Sequence, residues 1–154
     1  MIILRGDGTW PWHAFIAGDD IVVLGARATC FGGGNDPQDS GETASGINTK
    51  RKPKVEGCAL PMVYHGSSKA LLKALGGSPL PKLPWKTLVE ITANGKTVRV
   101  PVIDLGPAKK TGNAIDLTIA AARQFKKNAS ATNFAIQCDY RIIGGAKYAG
   151  GSVL

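Results

Sequence analysis

Apolar and polar residues alternate along several stretches of this chain, and that alternation predicts strands. One begins at Ile21-Val22-Val23-Leu24, runs on through Ala26, Ala28 and Cys30, and stops at Gly32-Gly33-Gly34. A second covers residues 87–92, with Leu88, Val89 and Ile91, and is followed by Asn94-Gly95. Both of those residues tolerate the positive φ of a type I′ turn, so residues 97–103 return as a hairpin partner. Residues 134–143 alternate as a closing strand that Gly144-Gly145 ends, and residues 58–64 form a shorter apolar piece. Two brief helices fit between the strands. Ser67 or Ser68 caps the first, which turns Leu71, Leu72 and Leu75 inward and stops at Gly76-Gly77. The second, alanine-rich, covers residues 119–127 with Ile119, Ala122 and Phe125 on one face. Asp104-Leu105-Gly106-Pro107 breaks the returning strand, Ile115-Asp116-Leu117-Thr118 leads into the second helix, and the polar residues 35–54 form a long surface loop. Loops of that length are usually functional.

At 154 residues the chain is expected to hold one compact domain, residues 19–154. Residues 1–18 precede it as an aromatic arm with Trp10, Trp12, His13 and Phe15, packed on the domain or facing a partner. Hydrophobic residues at 44% and charged residues at 19% exclude disorder, while 20 Gly and 9 Pro favour short strands over long helices. The net charge of +8 favours polyanionic partners such as nucleic acid or bacterial wall polymers. The basic clusters, Arg51-Lys52-Lys54, Lys109-Lys110 and Lys126-Lys127, come without an arginine-rich helix or an aromatic RNA-binding signature. Specific nucleic-acid recognition is therefore not expected. Cys30, Cys58 and Cys138 lack metal-ligand spacing, so no metal and no cofactor are expected; the thiols are buried small hydrophobes, or two of them pair. Met1 to Leu4 is too short an apolar run for a signal peptide, and nothing reaches membrane-spanning length. The expectation is a monomer acting outside the cytoplasm, in the wall or periplasm or on a virion, and leaving the cell by another route.

The order of several motifs resembles the rare-lipoprotein-A-type barrel family, which shares its architecture with expansins and barrel-type endoglucanases. These are Ala28-Thr29-Cys30-Phe31-Gly32, Thr43-Ala44-Ser45-Gly46, Leu83-Pro84-Trp85, Val102-Ile103-Asp104-Leu105-Gly106-Pro107, and Ile115-Asp116-Leu117-Thr118 before Ala120-Ala121-Ala122. The resemblance spans roughly residues 21–145 and implies a mainly β fold, a six-stranded double-psi β-barrel with one or two short helices. It also implies a groove for an extended polysaccharide, peptidoglycan glycan strands above all, and either lytic transglycosylase activity or non-catalytic binding and wall loosening. In the family the aspartate at the position of Asp104 lies in the groove and is needed for activity, and the one at the position of Asp116 is important in expansin-like members.

The residues themselves support that chemistry. A carboxyl at the end of a strand carrying Val98, Val100 and Val102 is expected to be partly desolvated, which raises its pKa toward the range of a general acid. Asp104 fits this as general acid/base, or as a turn former before Gly-Pro. Asp116 fits catalysis or favours the amino terminus of the following helix, with Thr118 as cap. If the two share a groove, like charge pushes one pKa upward. Asp36 or Asp39 can supply a base for an inverting hydrolase. Thr43, Ser45 and Lys109 are candidate substrate-binding residues, and Tyr64 and Trp85 candidate stacking residues, Trp85 fitting the core equally. Lytic transglycosylases of the family carry a histidine where this chain has Gly57-Cys58-Ala59-Leu60-Pro61; His65 follows a few residues later. That departure favours binding over cleavage. A structural part of a phage tail or secretion machine is the third reading.

Overall fold

In the computed structural model, residues 2–32, 40–63 and 67–150 are described. Among them are strands β1 (Ile2–Leu4), β2 (Ala14–Ala17), β3 (Asp20–Phe31), β4 (Cys58–Leu60), β5 (Leu88–Ala93), β6 (Lys96–Leu105), β7 (Ile115–Thr118) and β8 (Ala135–Ile142). Two short helices, α1 (Lys69–Leu75) and α2 (Ile119–Ala122), accompany them. The longest run of alternation has become the longest strand, β3. Ile21 and Val23 point into the core, and so do Ala26, Ala28 and Cys30, although the two sets are out of phase by one residue. A bulge between Val23 and Ala26 absorbs the mismatch. Gly25 makes it possible with φ +66°, and its N–H is held by Asp139 Oδ1 at 2.8 Å.

The order β3–β7–β4–β6–β5–β8 closes when β8 pairs back onto β3, giving a six-stranded barrel. β3–β7 and β4–β6 are parallel, and the other four pairs of the ring are antiparallel. The pattern is unchanged when β3, β4 and β5 are exchanged with β6, β7 and β8, which is the double-psi arrangement. The β5–β6 hairpin turns through Asn94 (φ 51°) and Gly95 (φ 76°), as the type I′ reading requires.

The amino-terminal segment adds to the rim. β2 lies antiparallel to the first half of β3, and β1 lies outside β2. Trp10 and Trp12 are buried, edge to face with centroids 5.6 Å apart. Each indole N–H finds a backbone carbonyl, Gly76 O for Trp10 at 3.2 Å and Asn113 O for Trp12 at 3.3 Å.

Three local expectations are corrected. In α1, Ser68 caps the helix through Leu71 N and Leu75 is buried, but Leu72 faces solvent at 48% exposure. The second helix ends at Ala122; from there the chain turns tightly, with Gln124, Phe125 and Ala129 N–H groups reaching carbonyls three residues back. The returning strand does not break at Asp104, since Asp104 and Leu105 pair with Ala59 and Leu60 of β4. Cys30, Cys58 and Cys138 are buried thiols outside any disulfide, and burial pushes the pKa of Cys138 up to about 12 and that of Cys58 higher still. No helix among the described residues is long and apolar enough to cross a membrane.

Thr118 joins the barrel to α2. Its buried hydroxyl accepts from Gly57 N at 3.1 Å and caps the helix through Ala121 N at 3.2 Å. Thr118→Ala leaves both amides without that acceptor and is expected to cost about 1–3 kcal/mol in urea unfolding. Thr118→Ser keeps the oxygen and most of the stability; equal losses in the two variants would rule out the hydroxyl as the cause.

Candidate functional site

β4 is only three residues long, yet it separates β6 from β7. Its middle residue, Ala59, is in register with Asp104 on one side and Asp116 on the other, and Asp116 is in register with Thr29 of β3. Thr29, Asp116, Ala59 and Asp104 therefore form one row across four strands. Ile115 and Leu117 fill the core, which turns Asp116 outward. Asp104 reaches the same face by an irregularity. Simple alternation after Val98, Val100 and Val102 would turn it inward, but the register shifts between Cys58 and Ala59, so that Val102 and then Asp104 meet consecutive residues of β4. The step takes Asp104 out and returns Leu105 to the core beside Leu60. With neighbouring strands about 4.8 Å apart, the two aspartate Cα atoms lie about 10 Å from each other.

The two carboxyls are held differently. Asp104 Oδ1 accepts from the backbone N–H of Ala44 and of Leu105, each at 2.9 Å. Asp116 Oδ1 accepts a short hydrogen bond from the Thr29 hydroxyl. Burial raises the Asp116 pKa above its ordinary value, the Thr29 hydrogen bond opposes that shift, and the charge of Asp104 adds to it. Behind this pair, Asn113 Nδ2 reaches Thr29 Oγ1 at 3.5 Å while Asn113 Oδ1 accepts from Arg27 Nη1 at 2.9 Å.

The other expected residues fall in different places. Thr43 and Ser45 build the turn that presents Ala44 to Asp104. Their hydroxyls lie 3.0 Å apart, Thr43 Oγ1 donates to Ile47 O at 2.7 Å, and Ser45 N donates to Ile103 O at 3.2 Å. Trp85 is half-buried against the core. Lys109 sits in a short 3-10 turn, Lys109–Thr111, close enough to Asp7 that its charge adds to the Thr9 hydrogen bonds that lower the carboxyl pKa there. Asp36, Asp39, Tyr64 and His65 lie outside the described residues. Thr29, the Ala44 amide and Asn113 were not among the expected site residues. No periodicity marks them, because their place depends on register between strands distant in sequence. Among the described residues no group of three or more His, Cys, Asp or Glu side chains is arranged to hold a metal ion.

No protein-family model matches the chain. No curated protein shows a significant match to it. Among solved structures it is similar to the Streptomyces papain inhibitor, with a TM-score of 0.47 and 22% sequence identity over 87% of this chain and 98% of that one.

An acid whose folded-state pKa lies above its unfolded value keeps its proton to higher pH when native, so its contribution to stability is lost as pH rises through that window. For Asp116 the window opens at 3.8 and extends upward. Carboxyl-carbon NMR titration is expected to show Asp116 above 3.8 in the native protein, and lower in Asp104→Asn without reaching 3.8, because burial is the larger cause. An unchanged Asp116 titration in Asp104→Asn would show that the two carboxyls do not sense each other.

Proposed function

We propose that this barrel holds an extended polysaccharide across the row of Thr29, Asp116, Ala59 and Asp104 and cleaves it by acid–base chemistry, as a lytic transglycosylase does. The observation that supports this reading is the pair of outward-facing aspartates flanking a small residue, one of them shifted upward by burial and by the other's charge. Asp116 is then the proton donor. Its proton passes to the glycosidic oxygen, the bond from that oxygen to C1 breaks, and a hydroxyl of the same sugar closes on C1. The hydroxyl proton returns to the carboxylate pair, in which Asp104 is held by two amides. No water is consumed, so the wide spacing that an inverting hydrolase keeps for a water is not required. A net charge of +8 suits an anionic wall polymer such as peptidoglycan, and that substrate places the protein in the wall, in the periplasm or on a virion.

A second reading is glycan binding without cleavage. It is favoured by the engagement of Asp104 Oδ1 with two backbone amides, the arrangement of a structural carboxylate that ties the loop at Ala44 to β6.

Incubation with purified sacculi separates the two. The proposed enzyme releases 1,6-anhydro-muropeptides detectable by mass spectrometry, and Asp116→Asn and Asp104→Asn each reduce their rate by about 100-fold or more. Absence of such products from the wild-type protein, together with salt-resistant retention on the sacculi, would leave the binding reading in its place.

A further inference from the structure

We propose that the cleft between α1 and the Lys109–Thr111 turn is an anion subsite, taking a carboxylate or phosphate carried by the polymer; as a subsite it rests on the polysaccharide reading above. Ala70, Lys73 and Ala74 line it from α1, and Ala108 and Lys110 from the facing segment. The cleft measures about 380 Å³, room for roughly a dozen waters and so for an acidic group with part of a sugar ring. Three alanines make its walls low. Lys73 and Lys110 border the space from two elements, and no acid is among the described residues that line it.

Both lysines are exposed. Neither takes part in the ion pairs found among the described residues, Arg99 with Glu90 and Arg141 with Asp20. α1 has no acid in its first turn, and its last turn carries Lys73. Two cations from separate elements thus border one concave space with no acid among its described lining residues, while Asp7, hydrogen-bonded to Gly77 just after α1, faces the charge of Lys109. Position ties the cleft to the aspartate row: Ala108 follows Asp104 by four residues, which limits their Cα separation to about 14 Å. A polymer lying on the row and carrying acidic groups at every sugar or every second sugar brings one of them within reach of Lys73 and Lys110. A neutral glycan leaves the cleft unused.

The test uses the full chain, labelled with nitrogen-15 and titrated with sodium acetate or sodium phosphate against sodium chloride at constant ionic strength. Saturable shifts are expected at the Ala70, Ala74 and Ala108 amides, and none in the Lys73→Ala/Lys110→Ala variant. Either anion satisfies the subsite, and the one that saturates at lower concentration identifies the group. Shifts that are absent, that spread evenly over the lysine-rich surface, or that persist in the double variant overturn the proposal. A second measurement compares a neutral chito-oligosaccharide with an oligosaccharide of equal length bearing carboxylates. The wild type is expected to bind the acidic one tighter by about tenfold or more, and the double variant to bind both alike. Equal affinities in the wild type overturn the subsite's role in glycan binding. Failure of both sugars to bind overturns the polysaccharide reading, while the acetate and phosphate titration still decides whether the cleft takes anions.

Discussion

Closing a sheet of six short strands leaves no edge, so each backbone group of the ring must find its partner in a neighbouring strand. Here that demand falls hardest on β4, which has three residues and pairs on both sides, parallel to β6 and antiparallel to β7. Its insertion fixes the register of everything around it. Cys58 and Leu60 are drawn inward with Leu117 and Leu105, and Ala59, itself buried, lies between two aspartates on the side away from the core. A larger residue in place of Ala59 would stand between the carboxyls. The alanine lets them share one field.

That shared field divides two chemically identical groups. Asp116 is partly buried and has a hydroxyl as its partner, whereas Asp104 is met by two amides, one of them brought by a loop from far along the chain. Burial disfavours charge on the first, and the second adds to the effect. The arrangement depends on strand register and on one turn, Thr43 to Ile47, whose hydroxyls are spent on holding its own shape.

Much of this was legible from the residues alone. Alternation marked β3, β5, β6 and β8 because each has one face on the core, and Asn94-Gly95 marked the hairpin because few other pairs accept its backbone angles. Thr118 was legible as a cap and Asp116 as its neighbour. The bulges were not. Gly25 shifts the phase of β3 and the irregularity at Ile103 shifts that of β6, and both are invisible to a pattern read along one strand, since a bulge is defined by what lies across from it. The same limit hid Thr29, which meets Asp116 only because residues 87 positions apart fall side by side. Leu72 misled for a different reason: α1 is too short to bury a full stripe, so Leu75 is buried and Leu71 packs against the core while Leu72 is left outside.

The exchange that carries β3, β4 and β5 onto β6, β7 and β8 has a consequence for directionality. In one half the parallel crossing sets Thr29 beside Asp116; in the other it sets Asp104 beside Ala59. The strand pairing of the ring thus repeats when the two halves are exchanged, so the connectivity of the row alone does not distinguish one end from the other. The asymmetry of the row resides instead in these four side chains, an acid and a hydroxyl on one crossing and an acid and a methyl on the other.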